Sequence, residues 1–305
     1  MSYADKIYIE NAKEIIEHGF STMNQKVRAK WEDGSPAYTY MTFGVCNTYD
    51  LRKEFPTITL RRTALKSCFD EILWIFQKKS NNIKDLKPHI WDEWADIDGS
   101  IGKAYGYQIA QKHFHHKESL DDRQNFSKYV SQYPSYSLGK LDGIYMDQID
   151  SVIYDLKHDP FSRRIMTSLW NLDDLSEMNL QPCCWSLTFV TTKEDDELVL
   201  NCVLNQRSND FLAANNWNVA QYAILLMMIA QCVGMKAGKL THMIANQHIY
   251  DKHIDIVKEL IERPTYPAPK VSLNPDKTNF YDFTTDDLIV EDYRHGEQVQ
   301  IPIAI

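Results

Sequence analysis

The sequence predicts an α+β fold in which one mixed β-sheet is packed with helices in a single domain spanning 1–305. Three observations lead to this class. Amphipathic helical patterns stand at 2–18 and 63–78, an alternating apolar pattern flanks the charged turn "KEDDE", and a run that is apolar almost all round follows that pattern. No internal repeat and no Gly/Ser-rich linker divides the chain. With 44% hydrophobic residues among 305, the chain can bury a large core.

In chain order, Ser2 with Asp5 three residues on forms a capping signal; Ile7, Ile15 and Ile16 supply an apolar stripe, and Gly19 a stop. "TALKSCFDEILWIFQK" repeats the helical pattern through Leu65, Phe69, Ile72, Leu73 and Phe76. The run "KHFHHKESLDDRQ" is polar throughout and reads as a solvated loop. "SLTFV" and "LVLNCVLN" alternate on either side of "KEDDE", which describes a hairpin with Leu198, Leu200, Cys202 and Leu204 on its apolar face. "NVAQYAILLMMIAQCVG" suits a helix buried in the centre of the domain and stopped near Gly234. "KLTHMIANQHIY" returns as a strand, and "HIDIVKELIERP" as a helix ended by Pro264.

Charge narrows the partners. The chain carries 33 basic and 42 acidic residues, a formal charge of −9, so its overall field repels nucleic acid and anionic membranes. DNA and RNA binding are not expected, and an anionic ligand needs a local cluster of arginines. Asp5, Lys6 and Glu10 stand where a signal peptide would carry its apolar core, which predicts a cytoplasmic protein. Residues 211–235 lack charge, but Asn215, Asn216, Asn218, Gln221 and Gln231 make them a poor membrane span.

The cysteines are Cys46, Cys68, Cys183, Cys184, Cys202 and Cys232, with no C-x-x-C and no His at zinc-like spacing. No metal is expected, the other candidate being His113, His115 and His116 in the polar run. Cys202 belongs to an apolar strand face and reads as a small buried hydrophobe. Cys183 and Cys184 are neighbours in "QPCCWSLTF". On a strand they point to opposite faces, so they should not share a pocket. Close by in the paired strand, "NQRSND" places Gln206, Arg207, Ser208, Asn209 and Asp210 at a strand end, where an arginine could bind phosphate and lower a thiol pKa.

From "DEILWIFQ" and "HIWDEWADIDGSIGKAYGYQ" through "DPFSRRIMTSLWN", "QPCC", "NQRSND", "WNVAQYA" and "QHIYDKH" to the final "PIAI", the chain resembles the thymidylate synthases. The resemblance implies that family's fold, a homodimer joined sheet to sheet, and reductive methylation of dUMP to dTMP with 5,10-methylenetetrahydrofolate as co-substrate. A thiolate adds to carbon 6 of uracil so that carbon 5 can attack the folate-bound carbon. Cys183 matches that nucleophile and Cys184 the position beside it. Asn218 matches the residue on the pyrimidine edge, where an amide answers both O4 and N3. Arg28, Arg207 and Ser208 match the phosphate site, joined by Arg163 and Arg164 from the second subunit. His248 and Tyr250 match the pair on the deoxyribose 3′ hydroxyl. Gln206, Asn209 and Asp210 fall in the same nucleotide-binding motif. Glu71 matches the residue that organises water for proton transfer, Tyr105 the one that assists loss of the carbon-5 proton, and Trp91 the folate wall, with Asp210, Ala304 and Ile305 also on the folate side.

The chain departs from the common family pattern in "FLAANNWN", where Ala214, Asn216 and Trp217 replace Gly, Pro and Phe, in Ala245-Asn246 for Gly-Asp, and in Ala64 for His. A divergent bacterial branch shows similar changes. Asn215 and Asn216 add polarity near the folate pocket, which keeps a dUMP hydroxymethylase, adding water in place of hydride, as the alternative. A non-catalytic nucleotide- or RNA-binding relative is the remote one.

Overall fold

The computed structural model describes residues 1–305. Ser2 caps the first helix, α1 (Tyr3–His18), through the capping box with Asp5, as its spacing predicts, and Asp5 is buried because it also holds the backbone and hydroxyl of Thr59. Strands β1 (Phe20–Ser21) and β2 (Thr39–Asp50) follow, then α2 (Leu65–Ile72), which continues as a π-helical turn over Leu73–Gln77. The helix begins two residues later than its pattern predicts. Thr63 is not free to cap it, because its hydroxyl accepts from Asn216 and its N–H donates to Tyr293.

A smaller layer comes next: α3 (Gly106–Ile109), β3 (His113–Lys117), α4 (Leu120–Gln132), β4 (Ser137–Leu138), β5 (Gly143–Met146) and α5 (Gln148–His158), with β3, β5 and β4 forming a three-stranded sheet. The run read as a solvated loop is therefore a strand and the start of a capped helix. Its histidines find carboxylates: His115 meets Asp155 of α5 at 2.8 Å, and His116 meets Asp122 within the run at 3.1 Å. No group of His, Cys, Asp and Glu in the chain is arranged to hold a metal.

The main sheet has seven strands, formed by β6 (Met166–Ser168), β7 (Cys184–Glu194), β8 (Glu197–Gln206), β9 (Asn209–Asp210) and β10 (Lys236–Tyr250) with β1 and β2. Its order is β1-β2-β10-β8-β7-β6, with β9 also on β10, and it is mixed because β8 and β9 run parallel to β10 while the other pairs are antiparallel. The β7–β8 turn is the expected one, with Asp195 and Asp196 both at positive φ as a two-residue hairpin loop requires. Helix α6 (Asn215–Cys232) is buried along most of its length and packs on β8, β10 and α2. After α7 (Ile254–Ile261), β11 (Lys270–Leu273) and β12 (Leu288–Glu291) form a separate ribbon.

The register sorts the two faces of the sheet. Leu187, Phe189, Cys202, Leu204, Leu240 and Ile244 lie on the face under α6 and are buried, so Cys202 is the small core residue its pattern indicates. Cys46, Met166, Val190 and Met243 share the opposite face and are exposed. One contiguous cluster of 61 buried apolar residues draws on every α-helix, which makes this a single-domain α+β fold.

Candidate functional site

Cys183 sits just before β7 with its thiol half-buried, whereas Cys184 turns into the core. The two thiols thus occupy opposite faces, as strand geometry predicts. The Cys183 N–H donates to the Tyr105 hydroxyl at 3.1 Å, and its carbonyl accepts the Arg207 N–H at 2.9 Å. Tyr105 holds φ +42, a strained conformation for a side-chain-bearing residue, and its chain runs so close to the Ser80 backbone that a Cβ at Gly106 would lie 2.1 Å from the Ser80 oxygen. That close approach places the phenol over the cysteine.

Arg207 is fixed rather than free. Its Nε donates to Pro182 O at 3.0 Å, its Nη2 to Gln181 O at 2.8 Å, and its guanidinium lies 5.6 Å from the Trp170 ring. The expectation that an arginine lowers the thiol pKa holds only as a partial effect: burial pushes Cys183 up and outweighs the opposing charges of Arg207 and Arg28. Cys184, buried more deeply, is raised further.

The uracil-edge candidate is oriented by a chain of hydrogen bonds that starts outside the predicted set. His242 is buried and held neutral, its pKa pushed down to about 3 by desolvation, and its Nε2 donates to Gln206 Oε1 at 2.6 Å. Gln206 Nε2 therefore faces Asn218 Oδ1 at 3.0 Å and Ser208 O at 2.9 Å, and Asn218 Nδ2 donates to Gln221 Oε1 at 3.1 Å. The Asn218 amide keeps one lone pair and one N–H for a ring edge. The sequence signal for His242 was its inward place between Leu240 and Ile244 in an alternating strand.

Glu71 is not surface charge. It is 6% exposed, and its two oxygens accept from two indoles, Oε1 from Trp91 Nε1 at 2.8 Å and Oε2 from Trp217 Nε1 at 2.7 Å. Burial raises its pKa to about 7, against the lowering effect of Trp217 and then Trp91. Trp91 also packs edge-on against Tyr105, with ring centroids 5.1 Å apart.

His248 and Tyr250 project from β10 with ring centroids 5.1 Å apart, and burial lowers the His248 pKa. Asp210 accepts the Ala213 N–H on Oδ1 at 3.0 Å, leaving Oδ2 without a protein partner. Asn209 is fully buried with neither amide atom paired. Arg28 is exposed, yet its charge acts on both Cys183 and Tyr250. Arg163 and Arg164 lie in the exposed turn before β6 and form no ion pair with the rest of the site. The tail is docked: Ile305 and Lys30 exchange two backbone hydrogen bonds at 2.6 and 2.9 Å, and His253 Nε2 donates to Pro302 O at 2.8 Å.

The asparagines that added polarity to "FLAANNWN" do not open onto a pocket. Asn216 is buried, its Oδ1 accepting from Arg61 at 3.0 Å and its Nδ2 donating to Thr63 at 2.9 Å, and Asn215 is buried beside Gln247. The Asn216 amide serves the packing of α6 on the segment before α2 and that of Asn215 meets β10, so the polarity that favoured a hydroxymethylase is spent in the interior.

The family model described as thymidylate synthase matches residues 6–305. A thymidylate synthase of Bacillus licheniformis is 38% identical over 309 aligned residues that cover both chains entirely, and one of Bacillus phage phi3T is 35% identical with the same coverage. Among solved structures, thermostable thymidylate synthase A from Bacillus subtilis superposes with a TM-score of 0.84 at 36% identity, covering 99% of each chain. With its fold, its full-length similarity and this arrangement of cysteine, tyrosine, asparagine and buried glutamate in agreement, the chain belongs to the thymidylate synthase family.

Proposed function

We propose that this methyltransferase converts dUMP to dTMP through a covalent adduct of the Cys183 sulfur at carbon 6 of uracil. The observation that carries the reading is the linkage of Cys183 to Glu71: Tyr105 takes the Cys183 N–H, packs on Trp91, and Trp91 donates to Glu71. Nucleophile and proton carrier are thereby held in one rigid group of side chains.

5,10-Methylenetetrahydrofolate supplies the one-carbon unit and then the hydride, leaving as dihydrofolate. The residues present suit it: Trp91 and Trp94 form an aromatic wall with centroids 5.7 Å apart, and Asp210 Oδ2 is open to an N–H donor. Cys183 must lose its proton before attack, and the arginines around it favour the thiolate, most of all Arg207. As the carbon 6–sulfur bond forms, negative charge moves to O4, where the free N–H of Asn218 stabilises it. After carbon–carbon bond formation the carbon-5 proton leaves, with Tyr105 assisting and Glu71 ordering the water that carries it. A carboxyl near pKa 7 can hold or release that proton at neutral pH.

The phosphate is assigned to Arg28, Arg207 and Ser208, with Arg163 and Arg164 supplied by a second subunit. A homodimer is supported by the exposed face that carries Cys46, Met166, Val190 and Met243, and by the exposure of both turn arginines. Gln206, Asn209, His248 and Tyr250 complete the nucleotide side, and Trp91, Asp210, Ala304 and Ile305 the folate side. A cytoplasmic setting is part of the proposal, in keeping with six free cysteines; no helix is long and apolar enough to cross a membrane. Acid-quenching the enzyme during turnover and mapping its peptides should place a nucleotide adduct on Cys183. An adduct on Cys184, or none under turnover, would refute the covalent route.

A further inference from the structure

The geometry points to Trp217 as a positioning residue for the reaction: its indole N–H, opposite that of Trp91, clamps the Glu71 carboxylate and ties the uracil-contacting start of α6 to the proton carrier on α2. This inference rests on the role proposed above for Glu71.

Trp217 occupies a place where the common family pattern has Phe, an aromatic side chain that is smaller and has no donor. With Trp at this position the indole N–H reaches Glu71 Oε2 at 2.7 Å, a hydrogen bond that Phe cannot make. Each Glu71 oxygen has its own indole, Oε1 that of Trp91 at 2.8 Å and Oε2 that of Trp217 at 2.7 Å. Two donors from different elements fix the plane of the carboxylate and leave its remaining lone pairs facing away from both indoles, with the Gln221 side chain, one turn further along α6, as a weaker third influence on it. Trp91 belongs to the loop beside Tyr105, and Trp217 to the first turn of α6 immediately before Asn218. The clamp thus sets three things against one another: the carboxylate, the phenol above Cys183, and the amide on the pyrimidine edge. Asn216, also in that first turn, anchors the same end of α6 to Arg61 and Thr63, so the turn that carries Trp217 has little freedom of its own.

The chemistry gives the clamp a measurable sign. An N–H aimed at a buried carboxylate stabilises its anion and opposes the burial that raises its pKa. Removing the Trp217 donor should raise the Glu71 midpoint by about one pH unit, the scale of one hydrogen bond to a charged group. The limb of the rate profile that reports Glu71 ionisation should move by the same amount.

The test is Trp217→Phe in the full-length enzyme. Its kcat is followed against pH, and Glu71 ionisation is followed separately through the carboxylate infrared band assigned with Glu71→Gln. A rise of about one unit in both supports the inference. A shift in the infrared midpoint with an unmoved rate profile also supports the clamp and overturns the role of Glu71 instead. An unmoved infrared midpoint overturns the clamp, whatever the rate does. Should Trp217→Phe fail to fold, the wild-type enzyme answers through its indole ¹⁵N–¹H resonances. Those of Trp91 and Trp217 should titrate with one shared midpoint near 7 that is absent in Glu71→Gln, and a Trp217 resonance that ignores this titration refutes the contact.

Discussion

Deleting Ile305 tests whether the end of the chain closes the site. The residue is 54% exposed, so little apolar burial is at stake; what holds it is the backbone, which exchanges two hydrogen bonds with Lys30. Each such bond contributes a net ~0.5–1.5 kcal/mol, so the pair stabilises the docked tail by roughly 1–3 kcal/mol, a factor of about 5 to 150 in its population. The bond from His253 to Pro302 survives the deletion and keeps the rest of the tail in place. Methylation should therefore fall by about 5- to 150-fold, since an open site admits water and holds folate poorly. The dissociation constant of dUMP should change by less than about threefold, because Arg207, Gln206 and Asn218 are held by bonds the tail does not make. Ile305→Ala keeps both backbone bonds and should stay within about threefold of the intact enzyme. The assays are dihydrofolate formation followed by absorbance and calorimetric titration of dUMP. Equal rates for the truncated and intact chains would refute a closing role, and Ile305→Ala as damaging as the deletion would refute the backbone as its cause.

Cys183→Ala should abolish turnover while dUMP still binds, and Cys184→Ala should stay active within a few fold with a stability loss of about 1–2 kcal/mol from the core, read by denaturant unfolding. An inactive Cys184→Ala that folds would overturn the assignment. Mixing Cys183→Ala with Arg164→Ala subunits should restore one working site per heterodimer; purified heterodimers without activity would contradict shared phosphate sites. The Glu71 pKa is raised from 4.5 to about 7, so the unfolded chain ionises before the folded one. Stability should accordingly fall by up to about 3 kcal/mol as pH rises from 4.5 to 7 and level off above, and Glu71→Gln should remove that slope from the unfolding free energy.

Periodicity carried the hairpin, the capped first helix and the buried α6, because each has a pattern that only one kind of element satisfies. It failed at the His113–Lys117 strand, where His116 is satisfied by Asp122 just downstream but His115 by Asp155, 40 residues away, a partner that a local window cannot see. The start of α2 was misplaced for a similar reason: Thr63 spends its cap on Asn216, 153 residues away. In the site, residue types and motif order named the cysteine, the arginines and Asn218, but not what orients them. His242 reads as one more inward strand position until its bond to Gln206 is visible. Trp217 reads as a departure from pattern until its N–H is found on Glu71.

The most direct test of the central claim is the product ratio from one turnover of the enzyme with dUMP and 5,10-methylenetetrahydrofolate. Burial of Asn215 and Asn216 away from the pocket, with the docked tail, favours hydride over water as the group that captures the carbon-5 methylene. The account predicts dTMP and dihydrofolate in equal amounts, with none from Cys183→Ala. 5-Hydroxymethyl-dUMP with tetrahydrofolate left unoxidised, or dTMP from the Cys183→Ala enzyme, would contradict it.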